Sequence, residues 1–119
     1  MFQVTKRIEI AGSHCLKLPY ESPCSRNHGH NWIITVEVES QKLDNNGMVV
    51  DFSLISHIVK QLDHQYLNDI LGCDINPTAE NIAMWVAKNL NANMLDNPTA
   101  RVSKVTVQES EGNVAWFIP

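Results

Sequence analysis

Two segments near the N-terminus alternate between apolar and polar residues. From Phe2 to Ala11 the apolar residues fall on one parity and the polar residues mostly on the other, and Asn31 to Ser40 repeats this pattern. A period of two is typical of a strand with one buried face. We therefore predict two strands that can pair as a hairpin. Their inward positions are Phe2, Val4, Ile8 and Ile10 in the first, and Trp32, Ile34, Val36 and Val38 in the second.

Helical spacing replaces the alternation in the middle of the chain. Lys42 to Gly47 contains Asp-Asn-Asn-Gly, which predicts a turn. Apolar residues then recur every three or four positions from Leu54 to Leu62, and Ser53 is the predicted N-cap of this helix. From about Leu67 to Pro77 the sequence predicts a loop.

A second helix is predicted to begin after this loop. Thr78 is its expected N-cap, and Glu80 lies in the first turn, where the helix dipole favours an anion. The segment from Ile82 to Leu90 carries the apolar stripe that faces the core.

The last part of the chain predicts two further strands. They run from Val102 to about Glu109 and from Val114 to Ile118, joined through the Glu111-Gly112-Asn113 segment as a hairpin. The order strand, strand, helix, helix, strand, strand with short links favours an antiparallel α+β fold. With 119 residues and no repeat or linker, residues 1–119 are expected to form a single domain.

Charge and cysteine content limit which binding partners and which cellular compartment we expect for this protein. The net charge is −4 and no run of Lys and Arg is present, so no nucleic-acid partner is expected. The opening residues MFQVTKRIEI predict neither a signal peptide nor a membrane span. Three cysteines without a CxxC pair argue against a disulfide framework and favour the reducing cytoplasm.

Three histidines form the first candidate site. His28 and His30 are two residues apart at the mouth of a strand, so both imidazoles project from the same face. His14 follows the partner strand and comes close to them if the two strands form a hairpin. Three imidazoles with an open fourth position are typical of catalytic zinc, whereas a chance pairing of surface histidines is the alternative.

Other reactive side chains have both a chemical and an ordinary explanation. Cys24, close to Arg26, could have a lowered pKa and act as a base or nucleophile, although most free cysteines are small buried hydrophobes, as we expect of Cys15 and Cys73. Asp63 could orient the imidazole of His64 if the helix ends there, and otherwise the pair is solvated surface. Glu109 could accept an NH–C–NH₂ edge bidentately, or lie exposed.

Six segments, in order along the chain, point to one family. They are GSHCL, CSRNHGHN, NNGMVVDFSLI, LDHQYLN, NPTAEN and QES, between about residues 12 and 110. Together they resemble the 6-pyruvoyl-tetrahydropterin synthase and 6-carboxy-tetrahydropterin synthase family. The resemblance implies the tunnelling fold (T-fold), with four antiparallel strands and two helices on one face of each subunit. It also implies homo-oligomers, commonly trimers stacked into hexamers, with active sites at subunit interfaces.

The resemblance also implies roles for individual residues. Zn²⁺ is expected on His14, His28 and His30, and Cys24 matches the catalytic thiol, with Asp63 and His64 as its proton-relay partners. Glu109 matches the carboxylate that anchors the pterin ring, and Thr78 and Glu80 match further pocket positions, although Ala79 replaces a hydroxyl present in some relatives. Lys17 and Arg26 are candidates for binding the triphosphate.

The spacing within the cysteine loop separates the reactions of this family. The form Cys-x₃-HGH, present here from Cys24 to His30, resembles members that make 6-carboxy-tetrahydropterin, the queuosine precursor, whereas Cys-x₅-HGH resembles pyruvoyl-forming members. We therefore expect conversion of 7,8-dihydroneopterin triphosphate to 6-carboxy-5,6,7,8-tetrahydropterin, with release of acetaldehyde and triphosphate. The alternatives are the pyruvoyl-forming reaction, a supplementary role for Glu21 as in members that release 6-hydroxymethyl-dihydropterin, and a pterin-binding protein without turnover.

Overall fold

The computed structural model describes residues 1–119, which form a five-stranded sheet with helices on one face. The strands are β1 (Phe2–His14), β2 (His28–Ser40), β3 (Gln65–Tyr66), β4 (Arg101–Ser110) and β5 (Asn113–Phe117). They lie in the order β3, β1, β2, β4, β5, and all neighbours are antiparallel except β3, which is parallel to β1. The α+β class is confirmed, but the expectation of four antiparallel strands is wrong. Because β3 has only two residues, it shows no alternation in the sequence.

Three helices connect the strands. They are α1 (Phe52–Lys60), α2 (Leu67–Leu71) and α3 (Ala79–Asn93), and a 3₁₀ turn spans Pro23–Ser25. The order predicted from the sequence is therefore incomplete, because β3 and α2 lie between α1 and α3. The loop predicted from Leu67 to Pro77 is wrong over its first five residues, since a helix as short as α2 spans too few turns to show a period.

One of the two predicted N-caps is corrected. The N-cap of α1 is Asp51, whose Oδ1 accepts from the backbone N of Ser53 at 2.8 Å and from its hydroxyl at 2.7 Å. Ser53 is therefore inside the first turn, where it donates to the cap instead of forming it. Thr78 is confirmed as the N-cap of α3, since its hydroxyl accepts from the backbone N of Asn81 at 3.2 Å.

The hairpin of β1 and β2 is longer than its alternation indicates. The two strands pair without interruption from Phe2 opposite Ser40 to His14 opposite His28. Glycine and polar residues at this end hide the period of two, so the predicted strands ended at Ala11 and began at Asn31. The extension brings all three candidate histidines onto paired strand residues, with His30 opposite Gly12.

The core lies between one face of the sheet and the helices. Inward side chains of β1, β2 and β4 pack with the apolar stripes of α1 and α3 in one cluster of 24 buried residues. The predicted inward residues Ile8, Ile10 and Trp32 belong to it, whereas Phe2 at the end of the sheet is exposed. No helix is long and apolar enough to cross a membrane.

Candidate active site

Three histidines converge where the β1–β2 hairpin leaves the core. The ring centroids of His14, His28 and His30 are 4.5 to 5.2 Å apart, and each ring can contribute one nitrogen to a set whose members all lie within 4.8 Å of one another. The inward direction that buries Ile8, Ile10 and Trp32 also points these three side chains to the helix side of the sheet, because residues of the same parity share a face. The predicted juxtaposition of the three histidines is therefore present.

Backbone carbonyl groups orient two of the three rings. Nδ1 of His14 lies 2.8 Å from the carbonyl oxygen of Pro77, and Nδ1 of His28 lies 2.6 Å from that of Arg26. A carbonyl oxygen only accepts, so each Nδ1 carries the proton and donates. The two Nε2 atoms are then free of hydrogen and face each other at 3.0 Å. A hydrogen bond from the other ring nitrogen to a carbonyl oxygen is the usual way in which a protein fixes the tautomer of a metal-binding histidine.

The third ring contributes a buried nitrogen without a hydrogen bond. Nε2 of His30 is buried and has no hydrogen-bond partner, and Oε1 of Glu109 lies 3.4 Å from it. A buried unpaired nitrogen is costly unless a ligand completes it. Together with the unprotonated Nε2 atoms of the two neighbouring rings, this atom makes the donor set suitable for a divalent metal ion that prefers imidazole.

Burial favours the metal-binding form of His14. Desolvation by burial is the main cause that lowers the pKa of His14, and the hydrogen bond to Pro77 and the nearby Glu109 oppose this shift only in part. His14 is 1% exposed. Because a metal binds the neutral imidazole, a lowered pKa favours binding at neutral pH.

Trp32 forms the floor beneath the histidines. It is fully buried, and its ring lies edge-on to His14 and His30 at centroid distances of 4.9 and 5.2 Å. Its Nε1 donates to the carbonyl oxygen of Gly12 at 3.1 Å. A Cβ on Gly12 would meet the side chain of Leu67 at 3.3 Å, so this position has little room for any other residue.

Cys24 lies in the 3₁₀ turn and is tied to the end of β1. Its carbonyl oxygen accepts from the backbone N of Leu16 at 2.8 Å, two residues after the first histidine. Its own N donates to the hydroxyl of Ser22 at 3.1 Å, and its side chain is half-buried. The loop that carries the thiol is thus tied through its backbone to the chain just after His14.

Asp63 and His64 lie on the other edge of β1. The chain leaves α1 and turns sharply, with His64 in the left-handed region at φ 57°, so the two neighbouring side chains meet with Asp63 Oδ1 3.0 Å from His64 Nδ1. Asp63 Oδ1 also accepts from the backbone N of Ala11 at 2.9 Å, and His64 N donates to the carbonyl oxygen of Ala11. The bond from Ala11 is the main cause that lowers the pKa of Asp63. The helix end that this pair requires is therefore present.

Glu109 and Glu80 line a separate cavity beside the histidines. This cavity, of about 300 Å³, lies between the start of α3 and the β4–β5 hairpin. Glu109 is half-buried and reaches from it to His30, whereas Glu80 is exposed. The hydroxyl of Thr78 is engaged in capping α3. A planar ligand with an NH–C–NH₂ edge could meet the carboxylate of Glu109 here.

The remaining predicted residues lie outside this cluster. Lys17, Glu21 and Arg26 are exposed on or next to the cysteine loop. Of the two cysteines expected to be small buried hydrophobes, Cys73 is exposed and Cys15 is half-buried. The Sγ atom of Cys15 lies 3.0 Å from the hydroxyl of a tyrosine in β3. The residues next to Cys15 in the sequence do not indicate this polar contact.

A comparison with family models covers nearly the whole chain. Residues 3–118 match the model described as 6-pyruvoyl tetrahydropterin synthase. This chain belongs to the 6-pyruvoyl tetrahydropterin synthase family. The membership confirms the resemblance carried by the six sequence motifs, and the chain is an enzyme of this family.

Several members of the 6-pyruvoyl tetrahydropterin synthase family are similar in sequence. A 6-carboxy-5,6,7,8-tetrahydropterin synthase of Synechocystis sp. is 38% identical over 100 residues, covering 76% of this chain and 75% of that protein. The Bacillus subtilis protein of that name is 29% identical, covering 99% and 86%. A dihydroneopterin monophosphate aldolase of Pyrococcus furiosus is 38% identical, covering 77% of each. A shorter match, 48% identical, covers 50% of this chain but 37% of a Pyrococcus horikoshii relative.

Solved structures share the fold. The 6-pyruvoyl tetrahydropterin synthase of Caenorhabditis elegans superposes with a TM-score of 0.76 at 20% identity, covering 99% of this chain and 95% of that one. The Plasmodium vivax protein of that name gives 0.64 at 17% identity, with 98% of both covered. At such identities the likeness concerns the fold alone.

Residues of this family member that sequence reasoning missed lie behind the site. Trp32 was predicted only as an inward strand residue, although its ring contacts two of the histidines. Gly12 was not singled out, although its carbonyl oxygen accepts from the indole N–H of Trp32. Asn68 and Asn76 bind the backbone just after His14. Both asparagines belong to motifs that carried the resemblance, LDHQYLN and NPTAEN, and this membership was the available signal.

Proposed function

We propose that this chain is a zinc-dependent lyase that converts 7,8-dihydroneopterin triphosphate to 6-carboxy-5,6,7,8-tetrahydropterin, with release of acetaldehyde and triphosphate. The observation that carries the proposal is the three-histidine cluster at the open end of the β1–β2 hairpin, with Cys24 tied to the same end through Leu16. The three unpaired cysteines suit work in a reducing cytoplasm, where the thiol of Cys24 stays reduced.

His14, His28 and His30 would hold the metal. Zinc fits the donor set because two rings are fixed by carbonyl groups with Nε2 free and the third has a buried unpaired nitrogen. A zinc ion there would act as a Lewis acid towards the side-chain hydroxyls of the pterin and make the neighbouring C–H and O–H bonds more acidic.

The chain's own residues bind the pterin and move its protons. Glu109 accepts the 2-amino and N3–H groups of the pterin, since a carboxylate matches that pair of donors. The thiol of Cys24 serves as one proton-transfer group, while His64 serves as the other. Nδ1 of His64 faces the carboxylate of Asp63, so this ring exchanges protons through Nε2.

The two proton-transfer groups favour an active site built by two copies of the chain. Cys24 is bonded to Leu16, two residues past the end of β1 and on the side of β2, whereas Asp63 and His64 are bonded to Ala11 on the opposite edge of β1. At about 3.3 Å per residue, the five residues from Ala11 to Leu16 separate these points by roughly 16 Å. Because a proton cannot pass directly over such a distance, we propose a homo-oligomer, a trimer or hexamer, in which one copy provides the thiol and another the Asp–His pair.

Mixing two inactive variants tests the shared site. Cys24→Ala and His64→Ala are each expected to lose activity, and subunits mixed by denaturation and refolding should regain part of it, because some sites then combine an intact thiol with an intact imidazole. A mixture as inactive as its components, in oligomers shown by mass spectrometry to contain both chains, would contradict a shared site.

The product assay tests the reaction itself. Zinc-loaded protein is incubated with dihydroneopterin triphosphate, and products are identified by mass spectrometry beside Cys24→Ala and, as a matched control, Cys73→Ala, which changes an exposed cysteine outside the site. We expect a 6-carboxy product and acetaldehyde from the wild type and Cys73→Ala, and neither from Cys24→Ala. A 6-pyruvoyl product would contradict the proposed branch of the family.

A second candidate function is that of the Pyrococcus furiosus aldolase, because this chain is as identical in sequence to that aldolase as it is to the Synechocystis synthase. Formation of 6-hydroxymethyl-dihydropterin from dihydroneopterin monophosphate, supplied in place of the triphosphate, would favour that reaction. Binding without any product would indicate a pterin-binding protein. Glu109→Gln separates pterin binding from metal binding, since we expect it to abolish pterin binding and to leave zinc uptake intact.

A further inference from the structure

The chain just after β1 is held by a side chain in place of a neighbouring strand. Asn68 Oδ1 accepts from the backbone N of Cys15 at 3.0 Å, and Asn68 Nδ2 donates to the carbonyl oxygen of Cys15 at 2.8 Å. A primary amide has one carbonyl and an N–H beside it, so it can pair with both backbone groups of one residue as a peptide unit does.

Asn76 repeats this pairing two residues further along. Its Oδ1 accepts from the backbone N of Lys17 at 2.8 Å, and its Nδ2 donates to the carbonyl oxygen of Lys17 at 2.9 Å. Cys15 and Lys17 share a parity with Ala11, so their backbone groups point to the same edge as β3. The side-chain amides of Asn68 and Asn76 therefore continue the β3 edge beyond the point where the backbone of β3 turns into α2.

The residue between the two pairs points the other way. The backbone N of Leu16 donates to the carbonyl oxygen of Cys24 at 2.8 Å. The other hydrogen bonds within the cysteine loop are local, within Ser22 to Arg26, apart from the ring of His28 that donates to the carbonyl oxygen of Arg26. The bond from Leu16 is thus the link between the residue that carries the thiol and the end of β1.

Asn76 is itself firmly placed. The backbone carbonyl oxygen of Asn76 accepts from the side-chain Nδ2 of Asn81 and from the backbone N of Thr78, both at 2.8 Å. Asn76 is therefore bonded to the capped start of α3. A displacement of Lys17 is opposed by this anchor, and Leu16 lies between two residues that are each held by two hydrogen bonds.

We propose that Asn68 and Asn76 are positioning residues for the thiol of Cys24, acting as an amide clamp on Cys15 and Lys17 that fixes the bond from Leu16 to Cys24. This inference rests on the proposed function of Cys24. The clamp holds the backbone on which the cysteine loop is registered, and a misplacement of about 1 Å at a reacting group can cost roughly a hundredfold in rate.

Asn76→Asp is the decisive variant because it keeps the size and the acceptor but replaces the Nδ2 donor with a second oxygen facing the carbonyl of Lys17. We expect the backbone amide of Leu16 to exchange hydrogen roughly fivefold faster, about the effect of losing one hydrogen bond. Alkylation of Cys24 by iodoacetamide, read by mass spectrometry with Cys73 as internal reference, should also accelerate. We expect kcat to fall about tenfold or more, with zinc affinity unchanged.

Asn93→Asp is the matched control, since the side chain of Asn93 donates to the carbonyl oxygen of Asn89 on the exposed side of α3. It should change neither exchange at Leu16 nor alkylation of Cys24. Asn68→Asp should act as Asn76→Asp does, and Asn76→Ser serves as the second variant if Asn76→Asp does not fold.

Two results would overturn the clamp: Leu16 exchange and Cys24 alkylation no faster in the clamp variants than in Asn93→Asp, or a fall in zinc affinity that accounts for the whole fall in kcat. If the wild type has no activity on the pterin triphosphate, the proposed function fails, while exchange and alkylation still decide whether the clamp fixes the cysteine loop.

Discussion

Strand β1 has one edge completed by a single long strand and the other completed in pieces. On the first edge, β2 pairs with it from Phe2 to His14 without interruption. On the second, backbone pairing with β3 is confined to Gly12 and Ser13. The side chain of Asp63 binds β1 before this segment, and those of Asn68 and Asn76 bind the chain just after β1 ends. The continuous edge fixes the three histidines, whereas the divided edge brings an exposed imidazole and the clamp to the same strand.

We expect the largest effect, on zinc content and activity, from a substitution at the histidines that the continuous edge holds. His14→Ala removes the most buried of the three rings, so zinc measured after gel filtration should fall from about one ion per chain to a small fraction of it, and activity should be lost with it. His57→Ala is the matched control, since His57 is exposed on α1 outside the cluster. Full zinc content in His14→Ala would contradict the three-histidine site.

The divided edge is tested next by Asp63→Asn. The amide oxygen can still accept from Ala11, but the charge that orients Nδ1–H of His64 is lost. We expect kcat to fall by roughly 10²-fold or more, while zinc content and the urea midpoint change little. A kcat equal to that of the wild type would show that His64 acts without its neighbour.

We expect a smaller effect, on stability, from replacing Gly12 in β1. In Gly12→Ala the new Cβ meets Leu67 at 3.3 Å, and we expect a loss of about 1–2 kcal/mol in the free energy of unfolding from overpacking. Gly29→Ala is the control on β2, where the nearest atom is the carbonyl oxygen of Gly12 at 3.8 Å. Equal urea midpoints for the two variants would contradict the close packing of α2 on β1.

The smallest effect concerns pH. The pKa of Asp63 is lowered from its ordinary value of 3.8, chiefly by the bond from Ala11. A lowered folded-state pKa contributes stability that is fully present above the unfolded value and is lost as the pH falls through the folded value. The difference in urea midpoint between wild type and Asp63→Asn should therefore be constant from pH 7 to about 5 and change only below about pH 4. A difference that changes between pH 5 and 7 would contradict this assignment to Asp63.

The elements that the sequence predicts well are those long enough to show a period. The alternation in β2 and the stripe of α3 are confirmed, because each element buries one face against the same core. Thr78 is confirmed as a cap because its hydroxyl precedes a clear helical stripe. By contrast, β3 and α2 have two and five residues, and their position depends on contacts with β1 that lie far away in sequence.

The candidate site divides in the same way. The meeting of His14 with His28 and His30 follows from hairpin pairing and side-chain parity, both of which can be read from the sequence. The meeting of Asp63 with His64 depends on a left-handed residue that no local motif announces. The distance between this pair and Cys24 depends on which edge of β1 each one binds, and this information exists only in three dimensions.

The edge-on packing of Trp32 against His14 and His30 makes this indole an optical reporter of the cluster. Its emission should change when the neighbouring rings bind a metal, and a paramagnetic ion such as Co²⁺ should quench it strongly. The other two tryptophans are Trp116, exposed on β5, and Trp85, only partly buried on α3. With both replaced by phenylalanine, the occupancy of the histidine cluster could be followed by fluorescence in real time without any added label.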